Sequence, residues 1–266
     1  MDVLQATILG IVQGLTEFLP VSSSGHLALA TYHVGWGEGL PLWVGVATNT
    51  GTLLAVLVYL RRDVASALTG FLRGLTSADA RREEGWRTAL LVIVGSVPTV
   101  LIGLALRPAF ETLGQALPVS LALIVTGLVL WTAPRGGAKA EPHQLTFRDA
   151  LLAGVAQGLA VIPGISRSGA TIAMLLWRGA SADTAPRLSF LMYLVVSFGV
   201  AVLEADTVIG EQVAWDALAA MTVASFVVGY LALVVLFAVL RRGRFRVFAP
   251  YVWALAAFTL VRVALA

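Results

Sequence analysis

The chain of 266 residues contains no cysteine, which excludes disulfides and thiolate metal sites and leaves the redox compartment unread. Charge is scarce as well: 12% of residues are Asp, Glu, Lys or Arg against 58% hydrophobic, and the mean hydropathy is +0.88. Too little polar surface is left for a soluble globule of this length, so the chain reads as an integral membrane protein. A basic n-region is also missing, because Met1 to Phe18 holds no Lys or Arg and carries Asp2, Gln13 and Glu17. The N-terminal segment is therefore expected to belong to the fold and not to be a cleavable signal. A net charge of +3 and a pI near 9.7 could point to nucleic acid. Yet thirteen of the eighteen Lys and Arg residues sit in three short loops, a pattern that membrane orientation explains and nucleic-acid binding does not.

What is present is a repeat. GIVQGLTEFLPVSSSG, from Gly10 to Gly25, recurs 144 residues later as GVAQGLAVIPGISRSG, from Gly154 to Gly169, with seven of sixteen positions identical. The copies share a frame and divide the chemistry: Glu17 corresponds to Val161, Ser23 to Arg167 and His26 to Ala170. An acid, a hydroxyl and an imidazole in one copy and a guanidinium in the other suit two walls of one site.

Spanning helices need about 20 largely apolar residues. Six segments qualify: 42–60, 88–106, 114–133, 186–204, 215–240 and 247–265. Two further apolar regions, 3–34 and 148–177, are broken near their middles by Pro20 and by Pro163 and Gly164, and carry the repeated motif there. Two half-length helices meeting at a polar turn describe a re-entrant hairpin, tolerated at membrane depth only when buried in protein or lining a wet cavity. Loops 61–87, 134–148 and 241–246 are rich in Arg, whereas 34–41 and 205–214 hold no Lys or Arg and 107–113 holds only Arg107. The first set is expected in the cytoplasm and the second outside. The expected fold is thus an all-α membrane domain over 1–266 with an inverted-topology repeat: six full spans plus two re-entrant hairpins, ten helical segments in all. The repeats would run 1–133 and 147–266, with both termini outside and the site near the midplane where broken helices meet.

Glu17, at the apex of the first hairpin, is a functional candidate because an ionised group there is costly. A half-helix starting near Ser22 places Ser23 and His26 three apart on one face, so hydroxyl and imidazole could cooperate in nucleophilic or acid/base work. Arg167 opens a half-helix whose free N–H groups favour an anion, flanked by Ser166 and Ser168 with Thr171 one turn on, a setting suited to bidentate phosphate binding. Ser22 and Ser24 complete the substrate-binding candidates. Gln13 shares a helix face with Glu17 and suits a metal-ligand or hydrogen-bonding role, while Gln157 serves equally as interhelical glue. Thr48, Asn49, Thr50 and Thr52 could line the cavity or satisfy backbone. Glu204, Arg178 and Arg262 lie near span ends, where snorkelling suffices, and His33 and His143 read as loop residues.

These motifs, QGLTE from Gln13 to Glu17, PVSSSGH from Pro20 to His26 and PGISRSGAT from Pro163 to Thr171, resemble those of the undecaprenyl-diphosphate phosphatase (bacitracin-resistance) family, and the likeness runs the whole chain, including SFL at Ser189 to Leu191. The resemblance implies Mg- or Ca-dependent release of phosphate from a polyprenyl diphosphate lipid at the plasma membrane, through Glu17, Ser23, His26 and Arg167, with a site opening outward. Gln13 stands where many members carry Glu, leaving one fewer carboxylate for the metal. Glu17, with Gln13, would hold the cation, and Ser23 assisted by His26 is the favoured nucleophile over His26 itself or water. A homodimer is a candidate assembly. Two rivals belong to other classes. Inverted repeats with broken helices are also a transporter design, which leaves a lipid flippase open. Ser24-Gly25-His26 matches an element of the acid-phosphatase-like lipid phosphatases, but no second His follows His143, so that reading fails.

Overall fold

The computed structural model describes residues 1–34, 42–135, 145–208 and 213–265, and among these every regular element is helical. Helix α1 (Val3–Phe18) begins at Asp2, whose carboxylate accepts from the Gln5 N–H at 2.7 Å while the Gln5 side chain accepts from the Asp2 N–H, a reciprocal cap. The chain breaks at Leu19-Pro20 and resumes as α2 (Ser23–Val34). Then come α3 (Leu42–Tyr59), α4 (Arg61–Thr76), α5 (Glu84–Leu106), the single turn α6 (Phe110–Leu113) and α7 (Ala116–Thr132). The second half has α8 (Phe147–Leu159), a break at Pro163-Gly164, α9 (Arg167–Trp177), then α10 (Thr184–Val208), α11 (Trp215–Arg241) and α12 (Ala249–Leu265), with no counterpart of α4 or α6 among the described residues.

Four stretches among the described residues are long and apolar enough to cross a membrane: Glu84–Ala109, Thr184–Val202, Trp215–Arg241 and Phe245–Leu265. Helices α1 and α7 are apolar but shorter. Leu101, Phe198, Val223 and Val261 stand 58–63% exposed on the four long helices, a surface suited to hydrocarbon and not to water.

The two halves interlock. Helix α1 packs chiefly along α11, and α8 along α5, so the first arm of each broken hairpin lies against the middle long helix of the opposite half. Contacts between α3 and α11 and between α5 and α10 repeat the exchange, and α7 meets α12. The glycines common to both copies of the motif allow this approach. A Cβ on Gly14 would stand 2.7 Å from the Ser225 carbonyl oxygen of α11, and one on Gly154 would collide with the Gly95 carbonyl of α5. Small residues four apart on a helix face let two backbones meet closely.

The stretch 61–87, read from its charges as a loop, is mostly helix. The chain bends by 80° between α3 and α4, and α4 is amphipathic: Leu68, Leu72 and Leu75 are 55–57% exposed on one side, while Gly70 and Gly74 are buried against Gly85 and Trp86. The arginines of this stretch therefore ride on α4, on the turn Ala80–Arg82 and, for Arg87, on the first turn of α5. His33, also read as a loop residue, lies in the last turn of α2 with Nε2 2.9 Å from Thr259 Oγ1 on α12. Arg178 does more than snorkel, since its Nε lies 2.7 Å from Oδ1 of the buried Asp149 and ties the base of α9 to α8. His143 lies outside the described residues, as do 35–41 and 209–212, while 205–208, read as loop, continue α10.

Candidate active site

The two breaks meet. Ser22 Oγ accepts from the Gly164 N–H of the second hairpin at 3.1 Å and from the Gly25 N–H of its own turn at 3.3 Å. Gly164 takes φ +97°, and Ser22 itself sits at φ +70°, a left-handed conformation that costs a non-glycine residue about 1–3 kcal/mol and so persists only where surroundings fix it. Three bonds do so beyond that to Gly25: the Ser22 carbonyl accepts from the His26 N–H at 3.0 Å and lies 2.8 Å from His26 Nδ1, and its hydroxyl holds Gly164. The second turn is stapled from α7, where Thr126 Oγ1 donates to the Gly164 carbonyl at 2.8 Å and accepts from the Ser166 N–H at 3.0 Å. Ser166 caps α9 by accepting from the Gly169 N–H.

A cavity of about 40 Å³ lies between the hairpins, lined by Glu17, Ser22, Ser23 and Ser24 from the first and by Ser166 and Arg167 from the second. The Glu17 side chain is only 6% exposed, and burial of a carboxylate this deep requires partners. It has three. Gln13 Nε2 donates to Oε2 at 2.9 Å from one helical turn back, Ser23 Oγ donates to the same oxygen at 2.5 Å, and Arg167 Nη2 stands 3.6 Å from Oε1. The last distance is too long for a hydrogen bond, so the guanidinium neutralises the acid without being clamped by it. Arg167 is held from behind instead: its Cζ lies 5.1 Å above the Tyr193 ring, and Nη1 donates to Ser197 Oγ at 3.2 Å. Tyr193 is buried, its hydroxyl 3.1 Å from Thr52 Oγ1. The arginine side chain, 37% exposed, is thus held by a cation–π contact and one hydrogen bond and makes no hydrogen bond to the carboxylate.

Of the residues singled out from sequence, Gln13, Glu17, Ser22, Ser23, Ser24, Ser166 and Arg167 gather here. Two others do not face the cavity. Thr171 is fully buried and its hydroxyl donates to the Arg167 carbonyl at 2.8 Å; Ser168 is 5% exposed with its oxygen 3.3 Å from Ser166 Oγ. Both hydroxyls serve the first turn of α9. His26 departs from expectation most. It does not bond Ser23, since Ser23 opens α2 and turns back to Glu17, while His26 Nε2 lies 2.7 Å from the Tyr251 hydroxyl on α12. Gln157, the twin of Gln13, is 1% exposed, and neither amide atom has a partner among the described residues. Thr48, Thr50 and Thr52 all donate back to their own helix, and Thr52 alone also meets the site's supports.

Sequence reasoning did not find Tyr193, Ser197, Thr126 or Tyr251. The only signal for the first two was SFL at Ser189–Leu191, a motif set inside an apolar span where a tyrosine and a serine look like packing. A larger cleft of about 910 Å³ lies elsewhere, among Asp63, Arg81, Arg87 and Arg187. Three of its four arginines are engaged, Arg187 with Asp63 at 2.6 Å, Arg87 with the Leu145 carbonyl at 2.6 Å and Arg81 with the Gly74 carbonyl at 2.7 Å. No residue of the repeated motif lines it, so chemistry and not size marks the site.

No group of three or more His, Asp or Glu side chains suited to a metal ion occurs among the described residues. The donors at the cavity, one carboxylate, one amide and serine hydroxyls, are too few for a protein-only cage. They suit a cation shared with phosphate oxygens, the way Mg²⁺ is commonly held through one or two carboxylates.

Residues 6–258 match the family described as bacitracin resistance protein BacA. The chain is similar to the undecaprenyl-diphosphatase of Acaryochloris marina, at 63% identity over 265 residues covering 100% of both chains. It is 42% identical over 270 residues to the undecaprenyl-diphosphatase of Desulfosudis oleivorans, covering 98% of each, and 39% identical over 268 residues to undecaprenyl-diphosphatase 2 of Frankia casuarinae, covering 95% of this chain and 90% of that one.

Proposed function

The chain belongs to the bacitracin resistance protein BacA family, and from that premise we propose that it is a multi-pass membrane phosphatase that hydrolyses undecaprenyl diphosphate to the monophosphate and phosphate. It thereby recycles the lipid carrier of cell-wall synthesis and confers resistance to bacitracin. One observation carries the reading in the geometry: a serine hydroxyl, a carboxylate and a guanidinium from two distant copies of one motif converge on one cavity.

In this reading Ser23 Oγ attacks the terminal phosphorus and Glu17, which already accepts its hydrogen bond, serves as general base and takes the proton. The bond from phosphorus to the bridging oxygen breaks and that oxygen leaves on the lipid monophosphate; water then releases phosphate from Ser23. The base differs from the His26 expected from spacing, because Ser23 is bonded to Glu17 and His26 is not. Arg167 and the first turn of α9 bind the terminal phosphoryl group, where charge builds up. Glu17 and Gln13 would hold a divalent cation, Mg or Ca, together with diphosphate oxygens, and the cation would neutralise charge there.

The membrane arrangement belongs to the same proposal. Six spans and two re-entrant hairpins form an inverted repeat in the cell membrane, both termini lie outside and the site opens outward. The arginines at 61–87 and 241–246 support this orientation, and so does the exchange of partners between the two halves. A Ser77→Cys variant should then resist an impermeant thiol reagent in intact cells and react after lysis.

The deciding experiment is phosphate release by the purified chain in detergent from polyprenyl diphosphate, with and without a chelator. Turnover that the chelator suppresses is expected. Detergent allows no transport, so an intact substrate alongside binding would favour a carrier over an enzyme.

A further inference from the structure

His26 carries the imidazole of the motif, yet its ring stands off the cavity, and its two nitrogens have partners that define its state. Nδ1 lies 2.8 Å from the Ser22 carbonyl, which can only accept, so Nδ1 bears a proton. In the neutral ring Nε2 is then a bare acceptor, and 2.7 Å away the Tyr251 hydroxyl donates to it. The two rings lie within 12° of parallel, centroids 5.6 Å apart. The proton acceptor that a base would need is thus occupied by a tyrosine from α12, and the proton of Ser23 goes to Glu17.

We infer that His26 and Tyr251 are positioning residues: the Ser22 carbonyl sets the Nδ1–H tautomer of His26, the Tyr251 hydroxyl holds the ring there from its other nitrogen, and the Nδ1 N–H holds the left-handed Ser22 turn that sets Ser23 against Glu17. The chain of dependence is short. Ser22 at φ +70° needs its carbonyl bonded to stay in that region. Its hydroxyl is the link to Gly164, so the same turn registers the first hairpin on the second. Release of the imidazole lets Ser22 relax, moves Ser23 Oγ off Glu17 and loosens the bond between the hairpins. Tyr251 is half exposed, so its hydroxyl contributes by direction more than by packing.

The inference rests on the phosphatase reading for its kinetic arm alone; its spectroscopic arm is independent of any activity. The chain has three histidines, so the signals of His26 in ¹⁵N-histidine-labelled protein are assigned by their loss in His26→Gln. Neutral His26 is expected as the Nδ1–H tautomer, and Tyr251→Phe is expected to keep that tautomer while shifting the Nε2 signal, with kcat about tenfold lower and KM within about twofold, the scale of one lost hydrogen bond. Asn carries an amide N–H near the place of Nδ1, so His26→Asn should keep activity within about tenfold of wild type, while His26→Ala loses about a hundredfold or more. An Nε2–H tautomer in the wild type overturns the inference. So does His26→Asn as inactive as His26→Ala with both folded, which is the outcome for a histidine that handles the proton of the substrate. Absence of turnover in the wild type would remove the phosphatase reading and leave the tautomer to decide this one.

Discussion

The guanidinium of Arg167 stands 3.6 Å from the carboxylate of Glu17, bridging equivalent regions of two motif copies that lie 144 residues apart. The gap is short enough for each charge to stabilise the other in a buried place and too long to lock them together. A phosphoryl group could enter beside the pair without breaking a hydrogen bond between them. Tyr193 and Ser197 hold the guanidinium from behind, which suits the proposed role of Arg167 in binding the phosphoryl group.

Arg167→Lys should therefore lose activity by about a hundredfold or more although charge is kept. An ammonium offers no planar fork, cannot stack on Tyr193 in the same way and cannot reach Ser197 and a phosphate together. Phosphate release under saturating substrate checks this, and turnover within threefold of wild type would reject the clamp.

Gly154→Ala should destabilise the fold while leaving the site residues untouched. The added methyl meets the Gly95 carbonyl, and overpacking of this kind costs about 1–3 kcal/mol. A lower thermal midpoint in detergent is expected, with none for Gly45→Ala in α3, where a Cβ has open space and alanine favours the helix. Equal midpoints for the two variants would mean that α8 and α5 are not pressed together there.

The twin glutamines should behave oppositely. Gln13 bonds Glu17, so Gln13→Leu strips a donor from a buried carboxylate and lowers turnover at least tenfold. Gln157 is buried with no partner among the described residues, so Gln157→Leu removes an unsatisfied amide and should leave the thermal midpoint unchanged or raise it. A large loss of stability in Gln157→Leu would show that its amide is engaged after all.

Much of the architecture was legible because membrane helices announce themselves by length. The apolar run read as 42–60 is α3 at Leu42–Tyr59, 215–240 is α11 at Trp215–Arg241, and both breaks fall at the prolines that interrupt them. Helix α4 was hidden because its arginines were counted for orientation, while Leu68, Leu72 and Leu75 carry the helical period in a stretch of low mean hydropathy. In the site, polar residues placed inside apolar runs were found, since burial of Glu17 or Arg167 demands a reason. Tyr193 and Tyr251 were not, because an aromatic in a membrane helix needs no explanation from sequence. The Ser23–His26 bond does not form because each side chain has another partner that spacing does not show, Glu17 for Ser23, and the Ser22 carbonyl with Tyr251 for His26.

The central claim is that two motif copies make one site. It is tested most directly by a double-mutant cycle of Glu17→Gln and Arg167→Ala, read as kcat/KM for phosphate release from polyprenyl diphosphate. Each single variant should lose about a hundredfold or more, and the double should fall no more than about fivefold below the worse single, since groups acting as a unit are not lost twice. Losses that multiply would place the two residues in separate functions and contradict the account.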